Sequence, residues 1–117
     1  MSRWSDWYDL SENEIEHNGI DESGVYQIAF KGNYYYNYPN GRSPIFYIGS
    51  APVRTLKTRL KEHIMGRGHP CVYALYNKYA LIWQDMKASD PESTEINALE
   101  RFKEEFGDLP RCNNKIG

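Results

Sequence analysis

Four side chains between residues 26 and 63 have types and spacings that could act together on an anion. Tyr26 and Tyr47 each lie in a short apolar run, GVYQIAF and IFYIGSA, which is typical of a β-strand. Arg59 and His63 are four residues apart, so on a helix they share one face. Two phenols, a guanidinium and an imidazole brought together would bind an anion and move a proton.

The elements that must position these side chains follow from local patterns. Apolar runs rich in β-branched and aromatic residues predict strands, and they occur at 25–30, 45–49 and 79–83. Capping signals and apolar residues at helical spacing predict helices at 12–17, 55–65, 69–77 and 91–106. The segment 31–44 is rich in Gly, Asn, Tyr and Pro and predicts a long hairpin connection. The expected fold class is α/β, a small, mostly antiparallel three-stranded sheet flanked by helices.

Length and composition indicate one folded domain. The chain has 117 residues and is 40% hydrophobic, enough for one modest core. Residues 1–117 are therefore read as a single domain, with an N-terminal extension at 1–23 whose aromatic residues pack on it. Cys71 and Cys112 lack the spacing of a metal site and are expected to be reduced. No apolar run is long enough to span a membrane, and no signal-like segment begins the chain, so the predicted location is cytoplasmic.

The charge distribution is uneven. The net charge is −2, which is unfavourable for a protein that binds nucleic acid. Between positions 51 and 69, however, Glu62 is the single acid among five basic residues: Arg54, Lys57, Arg59, Lys61 and Arg67. A local basic patch is therefore expected, with weak intrinsic affinity for a polyanion.

Five motifs in order along the chain resemble those of the GIY-YIG endonuclease superfamily. This superfamily includes homing endonucleases, some restriction enzymes and the incision domain of nucleotide-excision repair. The resemblance covers residues 24–113, and no single piece of it is specific. The pieces are Gly24-Val25-Tyr26, Tyr47-Ile48-Gly49, Arg59-x-x-x-His63, Glu100 on a late helix, and Pro110-x-x-Asn113.

The resemblance implies a role for each matching residue. Tyr26 or Tyr47 would activate or orient the attacking water, and Arg59 would bracket the phosphate. His63 is an alternative general base, because its ordinary pKa lies near neutrality. Glu100 would hold a single Mg²⁺ or Mn²⁺ ion, as the family uses one divalent cation. The predicted substrate-binding residues are Arg54, Lys57 and Asn113.

Alternatives stay open for several of these residues. The choice among Tyr26, Tyr47 and His63 as the base is not decided by the sequence. Glu95 and Glu104 are rivals of Glu100 on the same predicted helix, and Asn114 is a rival of Asn113. Arg59 and His63 also fit an ordinary solvated helix face that pairs with Glu62.

The predicted function is metal-dependent endonucleolytic hydrolysis of nucleic acid, with DNA favoured as the substrate. The alternative is a GIY-YIG-like binding or adaptor module with weak or no catalysis, and a chance likeness is a third interpretation. The connection between the two tyrosine motifs is longer than the family's usual hairpin. A second, target-recognising domain is not expected within these 117 residues. A protein partner or a homo-oligomer is therefore expected to supply target recognition.

Overall fold

The computed structural model describes residues 3–113 of the chain. Its strands are β1 (Tyr8–Asp9), β2 (Gly24–Phe30), β3 (Tyr36–Tyr38), β4 (Gly41–Ser43), β5 (Ile45–Ala51) and β6 (Leu81–Lys87). Its helices are α1 (Glu12–Asn18), α2 (Leu56–Ile64), α3 (Pro70–Tyr76) and α4 (Pro91–Phe106). The α/β class and the antiparallel sheet flanked by helices are confirmed.

The main sheet has four strands in the order β1-β6-β2-β5, all antiparallel. The prediction of three strands was wrong because β1, with only two residues, adds an outer strand that pairs Tyr8 with Trp83. Strands β3 and β4 form a separate two-stranded sheet within the long connection between β2 and β5. Two residues are too few to leave a period-two signal in the sequence.

Helix starts are fixed by side-chain caps. Ser11 accepts a hydrogen bond from the Glu14 backbone N–H at the start of α1, as the capping-box pattern predicts. Thr55 caps α2 in the same way, and Asp90 caps α4 ahead of Pro91. The cap at Thr55 sets the phase of α2 and so decides which of its side chains face the sheet.

Two hydrophobic clusters cover the two faces of the sheet. Successive side chains of a strand alternate between its two faces. Tyr26, Ile28 and Phe30 of β2 therefore face one side of the sheet, and Val25 faces the other. The first cluster includes these three residues together with apolar side chains of α1, α2 and α3. The second contains Val25 and packs against α4 and the β3–β4 hairpin. The basic helix α2 and the late helix α4 therefore lie on different faces of the sheet.

The described part of the N-terminal extension lies against β6. The Ser5 backbone N–H donates to the carbonyl of Asp85 at 2.7 Å, and the ring of Tyr8 packs 5.3 Å from that of Trp83. Trp4 joins the cluster on the α4 face. These contacts place Trp4 and Tyr8 on the sheet, whereas Trp7 is 39% exposed.

A disulfide joins Cys71 of α3 to Cys112, with a Cα–Cα distance of 5.6 Å. The prediction that both cysteines are reduced was wrong. They are 41 residues apart in sequence, and they meet because the Cys112 backbone N–H donates to the carbonyl of Phe46 on β5. This long-range contact leaves no local spacing signal. The cysteines consequently give no support to a reducing compartment.

Candidate active site

Tyr26 and His63 form a buried hydrogen bond between β2 and α2. The Tyr26 Oη atom lies 2.6 Å from His63 Nε2, and both residues are 0% exposed. Tyr26 faces α2 because it alternates with Val25 along β2, and His63 is one turn after Arg59. The predicted meeting of a strand phenol and a helix imidazole therefore occurs inside the protein, out of contact with solvent.

The other ring nitrogen of His63 defines the tautomer. The backbone N–H of His69 donates to His63 Nδ1 at 3.2 Å, so Nδ1 carries the lone pair. The neutral ring then has its proton on Nε2, and Nε2 donates to the Tyr26 oxygen. Burial, followed by the positive charges of Arg59 and His69, lowers the pKa of His63 to about 3. His63 is therefore a neutral hydrogen-bond donor near pH 7.

Tyr47 completes an aromatic cluster around His63. Its ring centroid lies 6.0 Å from that of Tyr26, 5.3 Å from that of His63 and 5.4 Å from that of His69. Gly49 makes room for both phenols, because a Cβ there would lie 2.6 Å from Tyr26 Oη and 2.8 Å from Tyr47 Cε2. The glycine of the second tyrosine motif thus has a steric role in this cluster.

Arg59 acts electrostatically on both phenols. Burial raises the pKa of Tyr26 well above its ordinary value, and the Arg59 charge opposes that rise. Burial also raises the pKa of Tyr47, while the Arg59 charge and a hydrogen bond from Tyr26 lower it. The structure therefore brings together the four residues named first from the sequence.

A second arginine, Arg54, shares an ion-pair partner with Arg59 and lines the same cleft. Glu62 Oε1 accepts hydrogen bonds from Arg54 Nη1 at 2.6 Å and from Arg59 Nη1 at 3.0 Å. A cleft of about 360 Å³ is lined by residues 50–54 and Arg59. Lys57 belongs to a different group, since its Nζ lies 4.0 Å from Glu16 Oε1 of α1. Of the predicted substrate-binding cations, Arg54 thus accompanies Arg59 and Lys57 pairs with α1.

Glu95 of α4 acts electrostatically on Tyr47. Glu100 is exposed, whereas Glu95 is half-buried and its charge raises the pKa of Tyr47, after the larger effect of burial. Five residues of helix separate the two by about 140° around the axis. Glu95 precedes Leu99 and Phe102 by four and seven residues, so it lies on the face of α4 that packs on the sheet.

The preference for Glu100 rested on its distance in sequence from Asn113. The helical spacing of apolar residues in α4 includes Ile96, but Ile96 is 56% exposed. The spacing of Glu95, Leu99 and Phe102 was the signal that could have found the correct face.

Asn113 binds the backbone of β5. Its Oδ1 accepts from the Ile48 N–H at 2.8 Å, and its Nδ2 donates to the Ile48 carbonyl at 2.8 Å. This pair of bonds holds the strand that carries Tyr47, so the contact that Asn113 makes in the structure is a positioning contact. The rival residue Asn114 lies outside the described residues.

Sequence reasoning missed His69 and Gly68. His69 caps α3, accepting from the Cys71 N–H at 3.1 Å, and its own N–H fixes the His63 tautomer. A Cβ on Gly68 would collide with the His63 ring. The dipeptide His69-Pro70 was a usable signal, since a polar residue before proline is typical of a helix start.

No model of a known protein family matches the chain, and no curated protein or solved structure matches it either. Within residues 3–113, no three or more His, Cys, Asp or Glu side chains form a group that could hold a metal ion. The same residues contain no helix long and apolar enough to cross a membrane.

Proposed function

We propose that the protein hydrolyses phosphodiester bonds in nucleic acid, with DNA as the favoured substrate, as a metal-dependent endonuclease of the GIY-YIG type. The observation that carries the proposal is the buried bond between Tyr26 Oη and the protonated Nε2 of His63, beside Arg59 and Tyr47. A surface helix would not need a neutral imidazole clamped between a backbone amide and a phenol. Such an arrangement directs hydrogen bonds toward one neighbouring phenol, that of Tyr47.

The hydrogen bonds run in one direction through the cluster. The His69 N–H donates to His63, and His63 Nε2–H donates to Tyr26. The Tyr26 oxygen already accepts this bond, so its own proton is available for Tyr47. A hydrogen bond from Tyr26 lowers the pKa of Tyr47, although burial raises it more. Tyr47 is thereby the proposed general base, and Tyr26 and His63 position and polarise it.

In the proposed reaction Tyr47 first loses its proton to solvent, and a water oxygen then attacks phosphorus while the water proton passes to the Tyr47 phenolate oxygen. The bond from phosphorus to the leaving oxygen then breaks, and that oxygen takes a proton from solvent. Arg59 and Arg54 bind the phosphoryl oxygens, whose negative charge grows during the reaction. Because burial raises the pKa of Tyr47, activity should increase with pH above neutrality.

The donor set fits a weakly held divalent cation. Mg²⁺ is commonly held by one or two carboxylates with water and substrate phosphate oxygens as the other ligands. Glu95 is the α4 carboxylate whose charge reaches Tyr47, and it is the residue that would hold such an ion. When bound, a divalent cation would neutralise charge on the phosphate and the leaving oxygen.

The test is cleavage of supercoiled plasmid, single-stranded DNA and RNA, with Mg²⁺ or Mn²⁺ and with chelator. Arg59→Ala should lower the rate by about 10²–10³-fold. Glu95→Gln should abolish the metal-dependent rate, whereas the matched variant Glu100→Gln should retain it. Equal rates in wild type and Arg59→Ala, or a loss confined to Glu100→Gln, would contradict the proposed site.

A binding or adaptor module is the second candidate. It is favoured by the Arg54–Glu62–Arg59 ion pairs, which already satisfy much of the cationic charge at the cleft. Binding of nucleic acid without cleavage under any metal condition would favour this module. In either case we propose that a protein partner or a second copy of the chain supplies target recognition, because the net charge of −2 gives weak binding alone.

A further inference from the structure

Glu62 occupies the position where an anion would bind between two arginines. One carboxylate oxygen accepts from Nη1 of Arg54 at 2.6 Å and from Nη1 of Arg59 at 3.0 Å. We propose that Glu62 is a built-in competitor for the substrate phosphate, which binds by displacing this carboxylate from Arg54. The inference deepens the proposed function, because it takes a nucleic-acid phosphate as the competing anion.

The chemistry of the two anions is closely matched. A carboxylate and a phosphodiester each present two oxygens to the fork of donors on a guanidinium. Two arginines sharing one glutamate leave a single net positive charge at the cleft. A phosphate bound without displacing Glu62 would meet that carboxylate at close range, and like charges in contact are unfavourable.

The exposure of the two arginine side chains indicates which of their bonds to Glu62 the phosphate replaces. The Arg54 side chain is 58% exposed, whereas Arg59 and Glu62 are 25% and 20% exposed. Arg54 is in the loop that lines the cleft, and Arg59 is fixed on α2 close to both tyrosines. An incoming phosphate reaches Arg54 first, so the Arg54–Glu62 bond is the one that it replaces.

Displacing the carboxylate need not disturb the helix. The Glu62 carbonyl accepts from the Arg67 backbone N–H at 2.9 Å, which anchors the main chain at this position. Rotation about the Glu62 side-chain bonds is then sufficient to release Arg54. His63, the next residue, stays in place because its ring is held by Tyr26 and the His69 N–H.

A matched pair of variants tests the proposal. Glu62→Gln removes the competing charge and keeps the side-chain shape. Glu16→Gln is the control, because Glu16 also pairs with two cations of α2, Lys61 at 2.6 Å and Lys57 at 4.0 Å. Both substitutions change the net charge by the same amount, but only the first lies at the cleft.

Binding is measured by fluorescence anisotropy of labelled single-stranded and duplex DNA oligonucleotides in chelator. Glu62→Gln should bind about three- to fivefold more tightly than wild type, the size expected for a part-exposed ion pair. For one added phosphate contact, the slope of log K against log salt should become steeper by about 0.9 with the duplex and about 0.7 with the single strand. Adding Arg54→Ala to Glu62→Gln should remove both gains.

Two results would overturn the inference. An equal gain in Glu16→Gln would assign the effect to total charge, and no gain in Glu62→Gln would exclude competition at the cleft. Failure of the proposed function is recognised separately. Tighter binding by Glu62→Gln with no cleavage by any variant would support the competition by Glu62 and contradict the proposed nuclease activity. If no variant binds either oligonucleotide, both proposals fail.

Discussion

The Tyr26–Tyr47 pair and Tyr38 are buried phenols in two different regions of the molecule. Burial is the largest influence on all three, and it raises the pKa of each. Their partners differ. Tyr38 Oη donates to the Ile45 carbonyl at 3.1 Å and accepts from the Arg111 backbone N–H at 3.0 Å. Tyr26 instead meets the imidazole of His63.

The comparison shows that burial and a raised pKa do not identify a functional tyrosine. Both partners of Tyr38 are peptide groups, which neither take up nor release a proton near neutral pH. Its hydrogen bonds hold the β3–β4 hairpin against Ile45 and Arg111 and have a structural role. A phenol linked to a second phenol, a guanidinium and an imidazole can transfer a proton. The chemical nature of the partner separates the two regions.

The largest expected difference is between Tyr47→Phe and Tyr38→Phe. Tyr47→Phe removes the proposed base and should lower the cleavage rate by about 10²–10⁴-fold. Tyr38→Phe leaves the Arg111 N–H without its acceptor and should lower the free energy of unfolding by about 1–3 kcal/mol, with the cleavage rate per folded molecule retained. Plasmid cleavage and urea unfolding measure the two effects. Similar cleavage rates for Tyr47→Phe and Tyr38→Phe would contradict the functional difference between the two tyrosines.

Gly49→Ala should disturb the Tyr26–Tyr47 region without removing a functional group. The added Cβ would lie 2.6 Å from Tyr26 Oη, so both phenols must shift, and the cleavage rate should fall by about 10²-fold. Gly32→Ala is the control: its φ is +88°, and the new Cβ would meet no described atom within 4 Å. It should cost about 1 kcal/mol of stability and leave cleavage unchanged. Equal cleavage rates in both variants would contradict the steric role of Gly49.

The low pKa of His63 predicts that the folded protein loses stability in acid. Its pKa is about 3 in the folded protein and 6.5 when unperturbed, so only the unfolded chain takes up the proton between these values. The contribution of neutral His63 to the free energy of unfolding is fully present above pH 6.5. It is lost as the pH falls toward 3, and the total loss amounts to several kcal/mol. Urea unfolding at a series of pH values measures it. His63→Gln should flatten the profile, and an unchanged profile would show that another group is responsible.

Asp85 gives the smallest expected effect, with the opposite sign. It lies opposite Tyr26 in the β2–β6 register, and its Oδ1 has no hydrogen-bond partner among the described residues. Burial raises the pKa of this carboxyl. Its stabilising contribution is therefore present below the unperturbed pKa and is lost as the pH rises through the raised value. Asp85→Asn should increase the free energy of unfolding by about 1 kcal/mol at pH 7. Decreased stability in this variant would indicate a partner for the Oδ1 atom, in addition to the Trp83 indole N–H that donates to Oδ2 at 3.3 Å.

Much of the Tyr26–Tyr47 region was predictable because its signals are local. The apolar runs that form β2 and β5, the Arg59–His63 spacing and the cap at Ser11 each lie within a few residues. An antiparallel sheet and an amphipathic helix then bring the side chains together. The direction of the hydrogen bonds was not predictable, since it depends on the His69 backbone.

The rest depended on contacts between distant segments. β1 is a strand only because β6 offers an edge, and Asn113 binds Ile48 from 65 residues away. The sequence did not favour Glu95 over Glu100, because exposed Ile96 imitates a core position on α4. The disulfide required the C-terminal segment to lie along β5, which no local pattern encodes.

The bond between Cys71 and Cys112 turns the intervening chain into a covalent ring that carries β6 and α4. A single protease cut at the turn before α4 would leave both fragments in one molecule, with Glu95 still tethered beside the strand of Tyr47. The same ring restricts the denatured ensemble and thereby favours the native state. A nicked sample should consequently run as one band until a thiol is added.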